Sequence, residues 1–192
     1  TARPTKCFIG YVVCFGGLKE NFMGQNDHFL AHNCLYTNDK LVKMGITDDP
    51  LCSFCANDIE TIFHLFVNCI NVESLQRIVK QVCHKILGKT IRSDNFIRYL
   101  LFGYPNMKDK HVFNLINYVL CNYRFTVWSA RLWKGRNQNV SINGIFKSFI
   151  RKRIELEYNS HTMNESLTTF FEVFGIRDAL VARTATGYEL CF

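Results

Sequence analysis

The sequence predicts a mostly α-helical domain with one non-helical node, and three observations carry that prediction. Prolines occur only at positions 4, 50 and 105 of the 192 residues, which leaves long stretches free to be helical. Apolar residues recur at three- and four-residue spacing through much of the chain beyond residue 70. Between them and the N-terminal part, Cys52, Cys55, His64 and Cys69 fall in the pattern C-x2-C-x8-H-x4-C. With 48% hydrophobic and 20% charged residues and 17 Phe, the composition excludes a disordered or low-complexity chain. The longest apolar run near the start, Phe8 to Phe15, is far short of the roughly 20 residues that span a bilayer, and it lacks a small-residue cleavage site. No membrane partner is expected. Nine cysteines without disulfide-framework spacing then imply an intracellular, reducing compartment. A chain beginning with Thr is expected to be a piece of something longer.

Three parts follow along the chain. The first, residues 1–46, is a lead-in with helices: irregular or short strand to residue 20, then a helical pattern through Phe22, Phe29, Leu30 and Leu35. Thr37 should cap a short helix through Leu41 and Met44, and Gly45 should close it. Residues 47–72 hold the cysteine node, and 73–192 form a C-terminal helical region. Across that boundary, Val72, Leu75, Ile78, Val79, Val82 and Ile86 make a stripe ended by Gly88. Ser93 should cap a helix carrying Phe96, Ile97, Leu100 and Leu101, before a turn at Gly103 to Asn106. A long helix, about 109–132, places Val112, Leu115, Ile116, Val119, Tyr123 and Val127 on one face. Two more, near 141–158 and 164–174, are expected to finish the fold.

The node has the chemistry of a zinc site. Zinc favours four nitrogen or sulfur ligands in a tetrahedron, and a C-x2-C turn presents two thiolates from one loop. Ile59, Ile62, Phe63 and Phe66 suggest a short helix as platform for the other pair, with Asn57 and Glu60 spaced as a capping box. Five residues are about 140° around an ideal helix, so that helix must unwind for Cys69 to join His64. Cys52, Cys55, His64 and Cys69 leave no open position, so one structural Zn²⁺ per chain is expected, in a helical domain built around a node of three Cys and one His. Cys7, Cys14, Cys34, Cys83, Cys121 and Cys191 lack ligand spacing and read as buried or inert. His28 and His32 lie one turn apart, with only Cys34 near to complete a site, and Cys83-His84 reads as core or surface.

No catalytic residues are found. Asp48-Asp49 lacks the flanking apolar strand that would aim paired carboxylates at two metal ions, so it reads as a turn. There is no phosphate-binding Gly loop and no Ser-His-Asp set, and the chain is expected not to be an enzyme. Charge is concentrated instead. Residues 124–153 carry eight positive charges, more than the whole chain's net +7, in Arg124, Arg131, Lys134, Arg136, Lys147, Arg151, Lys152 and Arg153, without one Asp or Glu. A plain solvated face normally mixes signs, so this stretch points to a nucleic-acid partner. The interleaved Phe125, Trp128, Trp133, Phe146 and Phe149 read as core.

Leu35-Tyr-Thr37-Asn-Asp39-Lys-Leu41, Gly45-Ile46, Asp49-Pro50, Cys52-x-x-Cys55, Glu60-Thr61 and His64-Leu-Phe-x-x-Cys69 run in an unbroken series. Together they resemble the zinc-binding segment that follows the polymerase core in the reverse transcriptase proteins of non-LTR (LINE-type) retrotransposons. The likeness is close over Leu35 to Cys69 and looser beyond, where Trp128-x-x-Arg131 and a basic helix follow. Ile70 stands where the family usually has proline. The resemblance implies a non-catalytic, RNA- or DNA-binding module that helps engage template RNA or target DNA, with the polymerase part of a parent polyprotein as partner. It also implies a life in the nucleus and in cytoplasmic ribonucleoprotein. Two other readings stand beside it: a zinc-stabilised helical module that packs on the polymerase domain, and a decayed fragment of a retrotransposon.

Overall fold

The computed structural model describes Leu30, residues 34–134 and residues 141–192. Apart from Leu30, the expected elements before residue 34 lie outside the described residues, with Cys7, Cys14, His28 and His32; so does Arg136. In chain order come α1 (Asn38–Lys43), a π-helical turn (His64–Asn68), α2 (Ile70–Leu87), α3 (Ser93–Phe102), α4 (Lys110–Lys134), α5 (Ile142–Met163) and α6 (Leu167–Phe174). A 3-10 turn (Ile176–Asp178) then leads into an antiparallel hairpin of β1 (Val181–Thr184) and β2 (Gly187–Leu190). The mostly helical class is as the sequence predicts. Among the described residues no helix is long and apolar enough to cross a membrane.

α4 is the axis on which the rest assembles: α2, α3, α5, α6 and the π turn all pack against it. From Val119 to Ala130 only Cys121 and Phe125 escape full burial. Polar groups in that stretch therefore need internal partners. Asn122 Nδ2 donates to the Tyr118 carbonyl at 2.8 Å, and Arg124 Nη1 to the Leu100 carbonyl at 3.3 Å. α2 follows its predicted stripe, burying Val72, Leu75, Val79, Val82 and Ile86, and ends on Gly88 in the left-handed conformation (φ +66°) that closes a helix without a Cβ clash. Arg177 Nη1 donates to the Ile86 carbonyl there and satisfies a helix-end acceptor.

The structure departs from expectation at several places, among them the last helix, which starts at Leu167 and not near 164. Ser93 does not cap α3: the cap position is Arg92, and the Ser93 hydroxyl accepts from Lys80 Nζ at 3.4 Å. α5 starts at a true side-chain cap, Ser141 accepting from the Gly144 N–H at 3.2 Å, and continues past residue 158 to Met163, since beyond Gly144 no Gly or Pro interrupts it. The hairpin at residues 181–190 is an addition. Its strands of four residues alternate too briefly to register as a pattern, yet Leu180 and Val181 are fully buried and the Tyr188 ring packs tilted against Tyr158 at 4.7 Å.

Candidate metal centre

The chain reaches the first ligand through an extended segment. Leu51 bridges to Ile59, and the loop between them closes through Cys52 N–H to the Asp58 carbonyl (2.8 Å) and Ala56 N–H to the Cys52 carbonyl (2.8 Å). Ala56 sits at φ +54°, a left-handed conformation that the tight C-x2-C turn imposes on a residue with a side chain. This turn delays the helix predicted to begin near Asn57 until Ile62, so two expectations are corrected. Ile59 and Phe63 are exposed rather than buried, and Asn57 and Glu60 form no capping box. Glu60 is instead fully buried, and its carboxylate accepts from the N–H groups of Ser53 (2.8 Å) and Asn38 (3.1 Å). It thus caps α1 from outside, because the Thr37 hydroxyl is turned to Asp39.

The second ligand pair rests on the π turn. Cys69 N–H donates to the His64 carbonyl at 2.8 Å, a bond across five residues in place of four. Widening the turn brings residues i and i+5 onto one side, which removes the angular mismatch an α-helix would leave between His64 and Cys69. The helix therefore widens before it stops, where unwinding alone was expected, and Cys69 then turns extended (φ −66°, ψ 126°). Carbonyls displaced from α-helical pairing find side chains: Phe66 O accepts from the Tyr123 hydroxyl (2.5 Å), and Val67 O from Gln76 Nε2 (2.8 Å). Tyr123 is fully buried, and burial pushes its phenol well above the ordinary range, so it remains a donor.

The ligand atoms of Cys52, Cys55, His64 and Cys69 all lie within 4.8 Å of one another. Cys52 Sγ is 3.9 Å from Cys69 Sγ, and Cys55 Sγ is 3.4 Å from His64 Nε2. Tetrahedral zinc with bonds near 2.3 Å needs edges of roughly 3.8 Å, so the four donors fit one such ion. His64 presents Nε2 inward, and its Nδ1 faces the exposed Asp58 carboxylate at 3.8 Å, an orienting charge beyond hydrogen-bond range. The hydrogen bond with Cys69 pulls the Cys52 thiol down to about 5 against the opposing effect of burial, helped by the Cys55 and Phe54 N–H groups. The same bond, with burial, drives Cys69 upward. Thiols ligate as thiolates, so binding a divalent cation here would release their protons. The donors are positioned for one metal ion, as expected, and three of the four are buried.

Elsewhere among the described residues no comparable cluster forms. Cys83 is a core thiol pushed up to about 12 by burial, and His84 Nε2 accepts from the Ile91 N–H at 3.0 Å. Asp49 Oδ1 accepts from the Leu51 N–H at 2.9 Å, as a turn residue does.

The basic stretch divides in two. At the end of α4, Arg131 binds buried Glu60 through Nε (2.9 Å) and Nη2 (2.8 Å) and reaches Asn38 Oδ1 (2.9 Å). Lys134 Nζ donates to the Phe54 carbonyl inside the C-x2-C turn at 2.7 Å. Arg124 is buried, and Arg153 pairs with Glu157 at 2.5 Å. Lys147, Arg151 and Lys152 stand exposed along α5. Of the aromatics expected in the core, Trp128 and Phe146 are buried, while Phe125, Trp133 and Phe149 are half-buried, the rings of Phe125 and Phe149 meeting at 5.1 Å. Sequence reasoning missed the partnership of Glu60 and Arg131. Its only signal was that Glu60-Thr61 and Trp128-x-x-Arg131 both belonged to the resemblance.

A helical fold around a Cys₃His node is positioned to bind one metal ion, and three thiolates with one imidazole are a donor set that suits zinc. Residues 26–75 match a family model described as zinc-binding in reverse transcriptase, and this segment contains all four ligands. That family is described by its metal, not by catalysis. No curated protein and no solved structure matches the chain.

Proposed function

We propose that the chain is a non-catalytic, nucleic-acid-binding module of a LINE-type reverse transcriptase protein, which helps hold template RNA or target DNA. The observation that carries this reading is the α5 face. Lys147, Arg151 and Lys152 are exposed on a helix whose other side, Ile145, Phe146, Ile150 and Ile154, is core, so the helix can pack and bind at once. The family match at residues 26–75 supplies the reverse transcriptase context. Lys and Arg hold phosphates through counterion release, so affinity should fall steeply with salt. The test is a salt-titrated binding assay with structured RNA, single-stranded DNA and duplex DNA. Binding to one or more of them with a log–log slope of about −0.7 per contact on single strands is expected. Absence of binding at low salt to all three would refute the reading. The same preparation should extend no primed template above a no-protein control.

One observation favours a second reading, a module that packs on the polymerase domain. Tyr36, Met44, Ile46, Ile59, Phe63 and Ile70 are exposed in and around the metal-binding segment. Failure to bind nucleic acid, with capture of the purified polymerase part of the parent protein, would select it.

A further inference from the structure

We propose that Arg131 and Lys134, at the C-terminal end of α4, are positioning residues for the metal centre, and that they set how tightly its four ligands hold zinc. The proposal rests on the donor set and is independent of the nucleic-acid reading.

Three backbone groups bracket the first ligand, and each traces back to one of these two cations. The Leu51 carbonyl accepts from Asn38 Nδ2 at 2.6 Å, and Asn38 Oδ1 is held by Arg131 Nη2 at 2.9 Å. The Ser53 N–H donates to Glu60 Oε2 at 2.8 Å, while Glu60 Oε1 accepts from Arg131 Nε and Nη2 at 2.9 and 2.8 Å. The Phe54 carbonyl accepts from Lys134 Nζ at 2.7 Å and from Asn71 Nδ2, just after Cys69, at 2.9 Å. The Phe54 N–H points at Cys52 Sγ at 3.4 Å, so fixing this residue fixes a donor to the sulfur. The Arg131 guanidinium lies over the Trp128 ring at 4.9 Å, with its side chain 11% exposed. Its geometry is therefore set by α4, the most buried helix, and not by the loop it holds.

A C-x2-C loop without such restraints would have to be ordered by the ion itself, and that entropy would be subtracted from affinity. Restraints one step out from the ligands typically change metal affinity by 10–100-fold. Lys134 gives the cleaner test, because Arg131 also neutralises a buried carboxylate.

Zn²⁺ affinity is measured on the full chain by competition with a chromophoric chelator, for the parent, Lys134→Met, Lys134→Arg and Lys147→Met. Co²⁺-loaded samples report the tetrahedral thiolate spectrum. Lys134→Met is expected to bind Zn²⁺ about tenfold or more weakly, with the Co²⁺ spectrum retained at saturation. Lys134→Arg, which keeps a donor for the Phe54 carbonyl, should recover most of the loss, and Lys147→Met should match the parent. Lys134→Met within twofold of the parent, or a loss equal to that of Lys147→Met, would overturn the proposal. Glu60→Gln combined with Arg131→Met removes both buried charges together. If that pair folds and binds Zn²⁺ as the parent does, the Arg131 half of the proposal is wrong.

Discussion

The two ends of the basic stretch differ in what surrounds their charges. At the α4 end, Arg131 has a carboxylate, an amide oxygen and an indole ring around it, and Lys134 has a main-chain carbonyl. At the α5 end, Lys147, Arg151 and Lys152 face solvent and make no ion pair among the described residues. In sequence the two ends are one acid-free run. The acid that neutralises Arg131 lies 71 positions away, where no local charge count can find it. A cation with a desolvated partner belongs to the architecture; a cation without one is available to a polyanion.

Removing the metal should produce the largest effect at the α4 side of this comparison. Structural zinc contributes on the order of 10–16 kcal/mol in small finger peptides. Here the loss should be partial and local, because Leu65, Phe66 and Phe54 belong to the continuous core. Chelation is expected to release amide protection across 46–72 first, with α4 and α5 following only at higher denaturant. Metal analysis should find one zinc per chain, which Cys55→Ala abolishes and Cys34→Ala leaves intact. Well under one zinc in protein purified without chelator would show the ligand assignment to be wrong.

Next comes the pair of single substitutions that compares the two ends directly. Arg131→Met leaves Glu60 charged and buried, which costs about 3–5 kcal/mol. Lys147→Met should stay within about 0.5 kcal/mol of the parent. Urea unfolding of zinc-loaded protein reads both. Equal, small effects would mean that the Glu60–Arg131 contact is loose in solution and the division of the stretch is false. A smaller test of the same side is Tyr123→Phe. It removes the donor to the Phe66 carbonyl in the π turn and should cost about 1 kcal/mol, since Gln76 Nε2 remains near that oxygen at 3.2 Å.

These contrasts also show what the sequence made legible. The ligands could be read because their spacing is a local property of one loop and one turn. The helices could be read because a 3.6-residue stripe is local too, as in Val72 to Ile86. What escaped was set at long range. Glu60 looked like a capping residue for its own segment, yet it caps α1 and neutralises α4. The turn at Ala56 moved the start of the helix to Ile62 and left Ile59 outside it, because closing Cys52 onto Asp58 uses up the residues that would have started it earlier. The π turn was half visible. The mismatch between His64 and Cys69 announced a departure from α geometry, but its form depended on Tyr123 and Gln76 being there to take the displaced carbonyls. The hairpin at 181–190 was hidden by strand length.

The comparison is sharpened last by a change that should leave stability almost untouched. Lys147, Arg151 and Lys152 are replaced by Ser together, with Arg153 kept because its pairing with Glu157 places it in the architecture. Ile145, Phe146 and Ile150 still pack, so the unfolding midpoint should move little, apart from the modest helix propensity lost in exchanging Lys and Arg for Ser. If each of the three cations neutralises a phosphate, the log–log salt slope on single strands should flatten by about two units. The Lys134→Met variant carries one fewer charge as well, but its lysine is engaged with the Phe54 carbonyl, so its slope should match the parent once zinc is saturating. A flattened slope in the triple variant and an unchanged one in Lys134→Met would separate the two ends by function as the fold separates them by environment. The reverse result would place the polyanion at the α4 end and leave α5 as a solvated face.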